Sequence, residues 1–458
     1  MRGSAAGTPG NLIRRELRPT TMQRREFLLT MPAAAFSQRA DSNANWPHWR
    51  GPKQDGVAQT AVAARFTESK GVVWKRGIPG RGFSTPVIWG EKLFLTTAIP
   101  QGAPTEEAPA TQPQGRGAGG GAGPLVDHKF VVMCLDRNTG KTIWENTPIA
   151  ARPHEGYHFR YGSFASNSPI TDGKYLYASF GSRGVYCYGL DGKQVWKKDF
   201  GVQMRMRLAF GEGAPPALDS GMLFLKYDQE QDSFLSALDA ATGEEIWRVK
   251  RDEVSSWSGP YVIEHKGRKE LIVSASRRTV SYDLKTGKPL WECGGLGSNV
   301  IPQPLVIDDI VLVMSGHRDP NLMAIKLGRT GDLTGTDAVV WQNQRGNAYT
   351  AAPVLHEGLY YFVTDNGMVS CFDARSGKAH YSQQRLPKPA NFKASPILAN
   401  GKLYLATEDE DVYVLKAGAS YEVLESNTMA GQSFISSPVA VDGSLYLRSR
   451  TTLFCIRG

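Results

Sequence analysis

Cys134-Leu-Asp136-Arg-Asn-Thr139-Gly140-Lys-Thr-Ile-Trp144 is one of a set. Leu190-Asp191-Gly192-Lys-Gln-Val-Trp196, Leu238-Asp239-Ala-Ala-Thr-Gly243-Glu-Glu-Ile-Trp247, Asp283-Leu-Lys-Thr-Gly287-Lys-Pro-Leu-Trp291 and Asp373-Ala-Arg-Ser-Gly377-Lys-Ala-His-Tyr381 restate it down the chain. An Asp can fold back on the backbone of a tight turn, and a Gly supplies the positive φ that closes it. The flanking residues alternate apolar and polar, which predicts a hairpin of two strands. The aromatic after the turn then falls in an outer strand, where its large area packs against the next unit.

Each unit opens on a small residue followed by proline. These prolines are Pro86, Pro169, Pro215, Pro260, Pro304, Pro353, Pro396 and Pro438, at spacings of 83, 46, 45, 44, 49, 43 and 42. A proline at the first residue of a strand removes a donor where the ladder has not begun and makes its predecessor extended. The first spacing is long because it holds a Gly/Pro/Ala-rich insert at 101–124, expected to be disordered. Four short strands per unit of this length is the arithmetic of a β-propeller blade. The last unit ends after Leu453–Ile456 without an outer strand, whereas Gly71-Val-Val-Trp74-Lys75 has an outer-strand Trp and no hairpin before it. The expectation is all-β: an eight-bladed propeller of four-stranded antiparallel blades over 71–458, closed by the N-terminal strand, behind an arm at 41–70. Three units, the fifth, seventh and eighth, depart from the pattern. The fifth has Lys326 for the Asp and a longer segment before Trp341, and the seventh runs Lys416-Ala-Gly418 without a Trp.

The 458 residues are 41% hydrophobic and 21% charged with five cysteines, which excludes a disordered or disulfide-stapled chain. Of the formal charge of +9, +5 lies in residues 1–40, so the remainder is only mildly basic. Around Met22, a paired Arg24-Arg25 precedes the short apolar run Phe27-Leu28-Leu29 and a small-residue stretch. This resembles a twin-arginine export signal, too short to span a membrane. Residues 22–40 are accordingly expected to be a signal peptide and 1–21 a non-native extension. The protein is expected in the periplasm or secreted, as a monomer with no stable membrane span and no nucleic-acid partner.

The repeats, Ala-x-Asp-x-x-Thr-Gly-x-x-x-Trp in form, resemble the pyrroloquinoline quinone-like (PQQ-like) repeat family over most of 71–458. That family includes quinone- and calcium-dependent dehydrogenases, an outer-membrane protein assembly scaffold, and members whose propeller has lost the cofactor, so the resemblance implies the fold and leaves the chemistry open. Asn45-Trp46-Pro-His48-Trp49-Arg50-Gly51-Pro is similar to an N-terminal signature of exported members, with aromatics that anchor the strand following it to the ring. The family's dehydrogenases set the quinone on vicinal cysteines, and no Cys-Cys pair exists here. Cys134, Cys187, Cys371 and Cys455 instead share one repeat slot that elsewhere holds Ala237, Ser281, Ala324 and Val414, which predicts core packing. Cys293, outside that register, is expected to be an inert thiol. No His-Glu-x-x-His and no Gly-x-Ser-x-Gly occurs, and no catalytic residue or metal site is predicted. His154 and His158 come closest to a cluster. The run Glu408–Asp411 lacks calcium-loop spacing and is expected to be a solvated hairpin tip.

In a propeller the loops between blades and the tips between second and third strands open on one face. The first set supplies Arg81, Arg152, His154, His158, Arg160, Arg205, Arg207, Lys388 and Lys393. The second supplies Arg183, Arg277, Arg278, His317, Arg318, Arg448 and Arg450. Phe83, Tyr161, Trp257, Tyr349, Phe392 and Phe434 are interleaved. Arg suits bidentate recognition of carboxylate or phosphate, and a ring of like charge focuses potential on a channel mouth. The expected function is a binding or scaffold module that holds an anionic ligand, such as an acidic glycan, or an acidic segment of a partner protein, without a cofactor. The alternative is a PQQ- and calcium-dependent dehydrogenase of an alcohol or sugar.

Overall fold

Hairpins, several of them built on the Asp-x-x-Thr-Gly turn, pair with the strands before them into eight sheets, each with four antiparallel strands, so the protein is an eight-bladed β-propeller. The computed structural model describes residues 44–102 and 125–458; the expected extension, leader and most of the insert lie outside them. The blades span 87–151, 170–198, 217–251, 261–294, 305–343, 354–385 and 397–428, and the eighth takes 439–456 together with the N-terminal strand Val72–Gly77. That strand pairs antiparallel with Thr452–Ile456, Trp74 opposite Cys455, and closes the ring as the sequence predicts. In blade 3 the proline directly ahead of the strand is Pro216, not Pro215, because Ala217 is the first paired residue.

The turns behave as their chemistry dictates. Asp136 Oδ1 accepts from the Thr139 amide and hydroxyl, each at 2.8 Å, and Gly140 takes φ +68°. The same bonds recur at Asp239, Asp283 and Asp373. Each turn glycine lies under the tryptophan of the preceding blade: a Cβ on Gly140, Gly192, Gly243, Gly287 or Gly377 would sit within 2.8 Å of Trp74, Trp144, Trp196, Trp247 or Trp341. Each of these indoles also donates Nε1–H to a carbonyl of that turn, Trp74 to Arg137 and Trp196 to Ala240 at 3.0 Å, for example. Trp291 is the exception. Blade 5 lacks the turn, so Trp291 donates to Glu270 of its own blade, and the blade 5 insert folds back to add Gly331–Asp332 to the edge of blade 4.

Outer strands carry a bulge at the residue before the aromatic, at Val73, Ile143, Val195, Ile246 and Val340 among others, and blade 7, which lacks the aromatic, keeps the bulge before Glu425. The extra residue turns the indole inward and leaves its β-branched neighbour exposed. Across the ladder the indole faces the small-residue slot: Cys134 opposes Trp144, Cys187 opposes Trp196, and Ala237 opposes Trp247. All five cysteines are buried and unpaired, and desolvation raises their thiols, Cys134 and Cys187 to about 12.

Near the channel the residue before the proline is often Ser or Thr, and its hydroxyl ties neighbouring blades. Ser168 Oγ accepts from Thr85 N, Thr85 Oγ1 from Ser437 N, Ser437 Oγ from Ser395 N, and Ser395 Oγ from Ala352 N. The N-terminal arm lies inside this belt. Trp46 pairs with Ile88 of the first inner strand, and Arg50 reaches the carbonyls of Pro396 at 2.6 Å and Pro353 at 2.7 Å. Val57–Ala58 then runs parallel to the inner strand Ile397–Ala399. The Trp-rich segment therefore does more than anchor a strand: it occupies the centre of the ring. Arg50, fully buried, is held down to about 10 by desolvation and stays a cation.

Candidate functional site

The rim loops divide into two groups. At the channel mouth, the loop 157–162 is fixed by Arg81, which donates to the carbonyls of Gly162, Phe159 and Arg160 and packs on Phe83 and Tyr157. Arg81 is thus a brace. The loop presents Tyr161 and His158 as a stacked pair, centroids 3.9 Å apart, with the Lys393 ammonium 4.6 Å from the Tyr161 ring. Burial, then the charges of Lys393, Arg160 and Arg81, hold the His158 imidazole down to about 4. Lys393 pairs with Asp365 at 2.6 Å, and Asp365 also accepts from the Thr350 amide and hydroxyl. Across the mouth His317 stacks on Tyr349 at 4.9 Å, and Tyr349 is hydrogen-bonded to Asn299. Burial and the neighbouring Arg318 and Arg207 keep His317 below its ordinary value, with Asp365 acting the other way.

The structure thus brings together His158, Arg160, Tyr161, Arg207, His317, Arg318, Tyr349 and Lys393. Among the described residues the guanidinium groups of Arg160, Arg207 and Arg318 have no hydrogen-bond or ion-pair partner. Trp257 stands beside them, its indole donating to the Gly211 carbonyl and its ring near Phe210. Other rim cations are engaged: Arg277 pairs with Asp252, Arg278 with Glu292 and Asp252, Lys388 with Asp411, and Arg450 with Glu408 and the Arg160 carbonyl, whereas the Arg152 and Arg205 side chains, away from the mouth, have no such partner among the described residues. Arg448 is not on the rim. It is buried, bridging blade 8 to the Ser84 and Thr96 carbonyls of blade 1, and Phe83, Phe392 and Phe434 are buried with it.

Between blades 2 and 3 lies the second group. Arg183 donates to the Arg152 carbonyl, and His154 Nε2 donates to Met204 O at 2.7 Å, 3.8 Å from Glu212. Arg205 projects from the same loop. Glu212 is buried on the Ser182 amide and hydroxyl, and desolvation pushes its carboxyl up to about 7.

Sequence reasoning missed Asp365 and Glu408, the acids of the mouth. Glu408 belongs to the acidic run expected to be solvated, but it turns inward between Lys393 and Arg450 while Asp409 caps the Asn391 amide. Its position at a second-to-third-strand tip was the available signal. Both acids are already committed to cations, Asp365 to Lys393 and Glu408 to Lys393 and Arg450. No helix of the described residues is long and apolar enough to cross a membrane.

A family model described as outer membrane protein assembly factor BamB matches residues 128–293, 231–334 and 328–455. Outer membrane protein assembly factor BamB of Yersinia pestis is 21% identical over 341 residues, 71% of this chain and 79% of that protein. Tetrathionate hydrolase of Acidithiobacillus ferrooxidans is 23% identical over 351 residues, 68% of this chain and 66% of that protein. Among solved structures, quinohemoprotein alcohol dehydrogenase of Comamonas testosteroni superposes with a TM-score of 0.61 at 13% identity, covering 91% of this chain and 81% of that one, a likeness of fold alone. The blade count, the turn-and-tryptophan register and the span of the family model agree: the chain belongs to the BamB-type family of PQQ-like repeat β-propellers.

Proposed function

We propose that this protein is an exported binding or scaffold module that captures an anionic ligand, or an acidic segment of a partner protein, at the channel mouth. One observation carries the reading. Three guanidinium groups, Arg160, Arg207 and Arg318, stand without protein partners around two aromatic stacks, where their charge is available to a carboxylate, sulfate or phosphate. With the arm filling the ring from the far end, ligand access is from this face. The PQQ-like family and the BamB relatives support a scaffold role, and the leader at 22–40 supports work outside the cytoplasm. No cofactor takes part in this reading.

Retention of the 41–458 protein on a dextran sulfate surface tests it. Binding should weaken at least tenfold in Arg207→Ala/Arg318→Ala and fall with added salt. Unchanged retention would refute the reading. A saturable melting shift with pyrroloquinoline quinone plus calcium would instead favour the dehydrogenase alternative.

A further inference from the structure

We infer that the cleft between blades 2 and 3 is a second binding site, for an uncharged sugar. The cleft has a volume of about 440 Å³ and is lined by His154, Glu155, Gln203, Arg205 and Gln231. That is within the range of small-molecule pockets, roughly 300–1,000 Å³.

The loop that carries the cleft is built rather than loose. Four consecutive amides are each tied by a side chain from a different segment: Met204 N to Ser182 Oγ at 2.8 Å, Arg205 N to Gln229 Oε1 at 2.8 Å, Met206 N to Glu155 Oε1 at 3.0 Å, and Arg207 N to Ser255 Oγ at 2.8 Å. Met204 and Met206 are buried, so the alternation points Arg205 outward. The loop then turns through Leu208 and Ala209, both at positive φ, 51° and 52°. Non-glycine residues hold that conformation only where their surroundings impose it, and such positions cluster at binding sites.

The polar groups select the ligand class. Gln203, Gln231 and Arg205 have no side-chain partners among the described residues, and each amide offers both a donor and an acceptor. One cation faces one carboxyl, Glu155, which burial raises above its ordinary value. An anion would confront the amide oxygens and Glu155, and a cation would confront Arg205. A hydroxyl both donates and accepts, and satisfies all of them. Behind the cleft, a chamber of about 30 Å³ shares His154 and Glu155 with it and reaches Asn167. The Asn167 side chain is 6% exposed and its Oδ1 has no partner among the described residues, a further buried acceptor on this path.

Saturation-transfer difference NMR with the 41–458 protein and cellotriose, maltotriose or chitotriose tests the assignment. At least one of the three should receive saturation, and Gln203→Ala/Gln231→Ala should weaken that binding at least tenfold. Both residues are exposed, so the melting temperature and dextran sulfate retention should stay as in the parent. Gln231→Ala alone, at a strand tip, guards against a folding defect and should still weaken binding severalfold. No saturation of any of the three sugars, or equal binding by the variants, overturns the inference. So does loss of dextran sulfate retention in the same variants, which would give the cleft to the anion.

Discussion

The contact between each turn glycine and the preceding blade's tryptophan makes a quantitative demand. At Gly243, φ is +76° and a Cβ would lie 2.7 Å from Trp196 Cδ2. Gly243→Ala therefore costs about 1–2 kcal/mol for a left-handed alanine, whatever its neighbours. Displacing a buried indole that also donates to Ala240 at 3.0 Å adds the cost of overpacking, about 1–3 kcal/mol. Trp196→Ala alone should cost about 3–5 kcal/mol through the lost ring and cavity. In the Trp196→Ala background only the backbone cost of Gly243→Ala remains. A double-mutant cycle by urea denaturation should thus give a coupling of about 1–3 kcal/mol. Equal costs of Gly243→Ala in both backgrounds would show that the indole does not sit on the turn and would undo the account of blade stacking.

Other expectations follow from buried charges. Arg50→Leu strips two prolyl carbonyls of their donor in the centre of the ring and should destabilise by about 2–5 kcal/mol; Arg50→Lys, with one ammonium for two acceptors, should recover only part, and a parent-like melt of Arg50→Leu would argue against the arm's placement. Burial holds His48 and His158 down to about 3 and about 4 from 6.5, so between pH 4 and 6.5 the unfolded chain binds more protons and stability rises with pH. Burial raises Glu212 and Glu253 from 4.5 to about 7, so between 4.5 and 7 the native state binds more protons and their stabilisation is lost as pH rises. These trends oppose each other: Glu212→Gln should steepen the rise of stability from pH 4.5 to 7, and His48→Gln should flatten it. Parallel stability–pH curves for all three proteins would reject both assignments.

What was legible in the sequence was whatever repeats. Asp136, Gly140 and Trp144 each follow from local chemistry, and eight copies of a register expose ring closure through Trp74. The bulges were not legible, because the repeats share the extra residue and the spacing of four from turn Gly to Trp is therefore the same in each, with no unbulged unit to contrast with it. Nor was the arm, whose bonds are irregular and go to carbonyls more than 300 positions away. At the mouth, sequence located the loops but not the direction of each side chain. Arg81 and Arg207 look alike in the chain; one braces three carbonyls and the other stands free. Glu408 shows the converse, since a tip of four acids gives no sign that Glu408 and Asp411 turn inward and Asp409 and Glu410 do not. The positions missed are those decided by long-range geometry, where propensity is silent.

The arm also orders events in time. Arg50 and the carbonyl it grips at Pro396 are 346 residues apart, and Val57 pairs with Leu398. Contacts of that separation carry the largest loop-closure entropy and form late. Trp46 can pair with Ile88 once blade 1 exists, but the Arg50 and Val57–Ala58 end of the arm must wait until blades 6 and 7 exist, and the strand after it completes blade 8 only when the chain has reached Ile456. A chain that stops before Pro396 leaves Arg50 without one of its two acceptors and Val57–Ala58 without a strand to pair with, so the seated far end of the arm registers that blade 7 is in place.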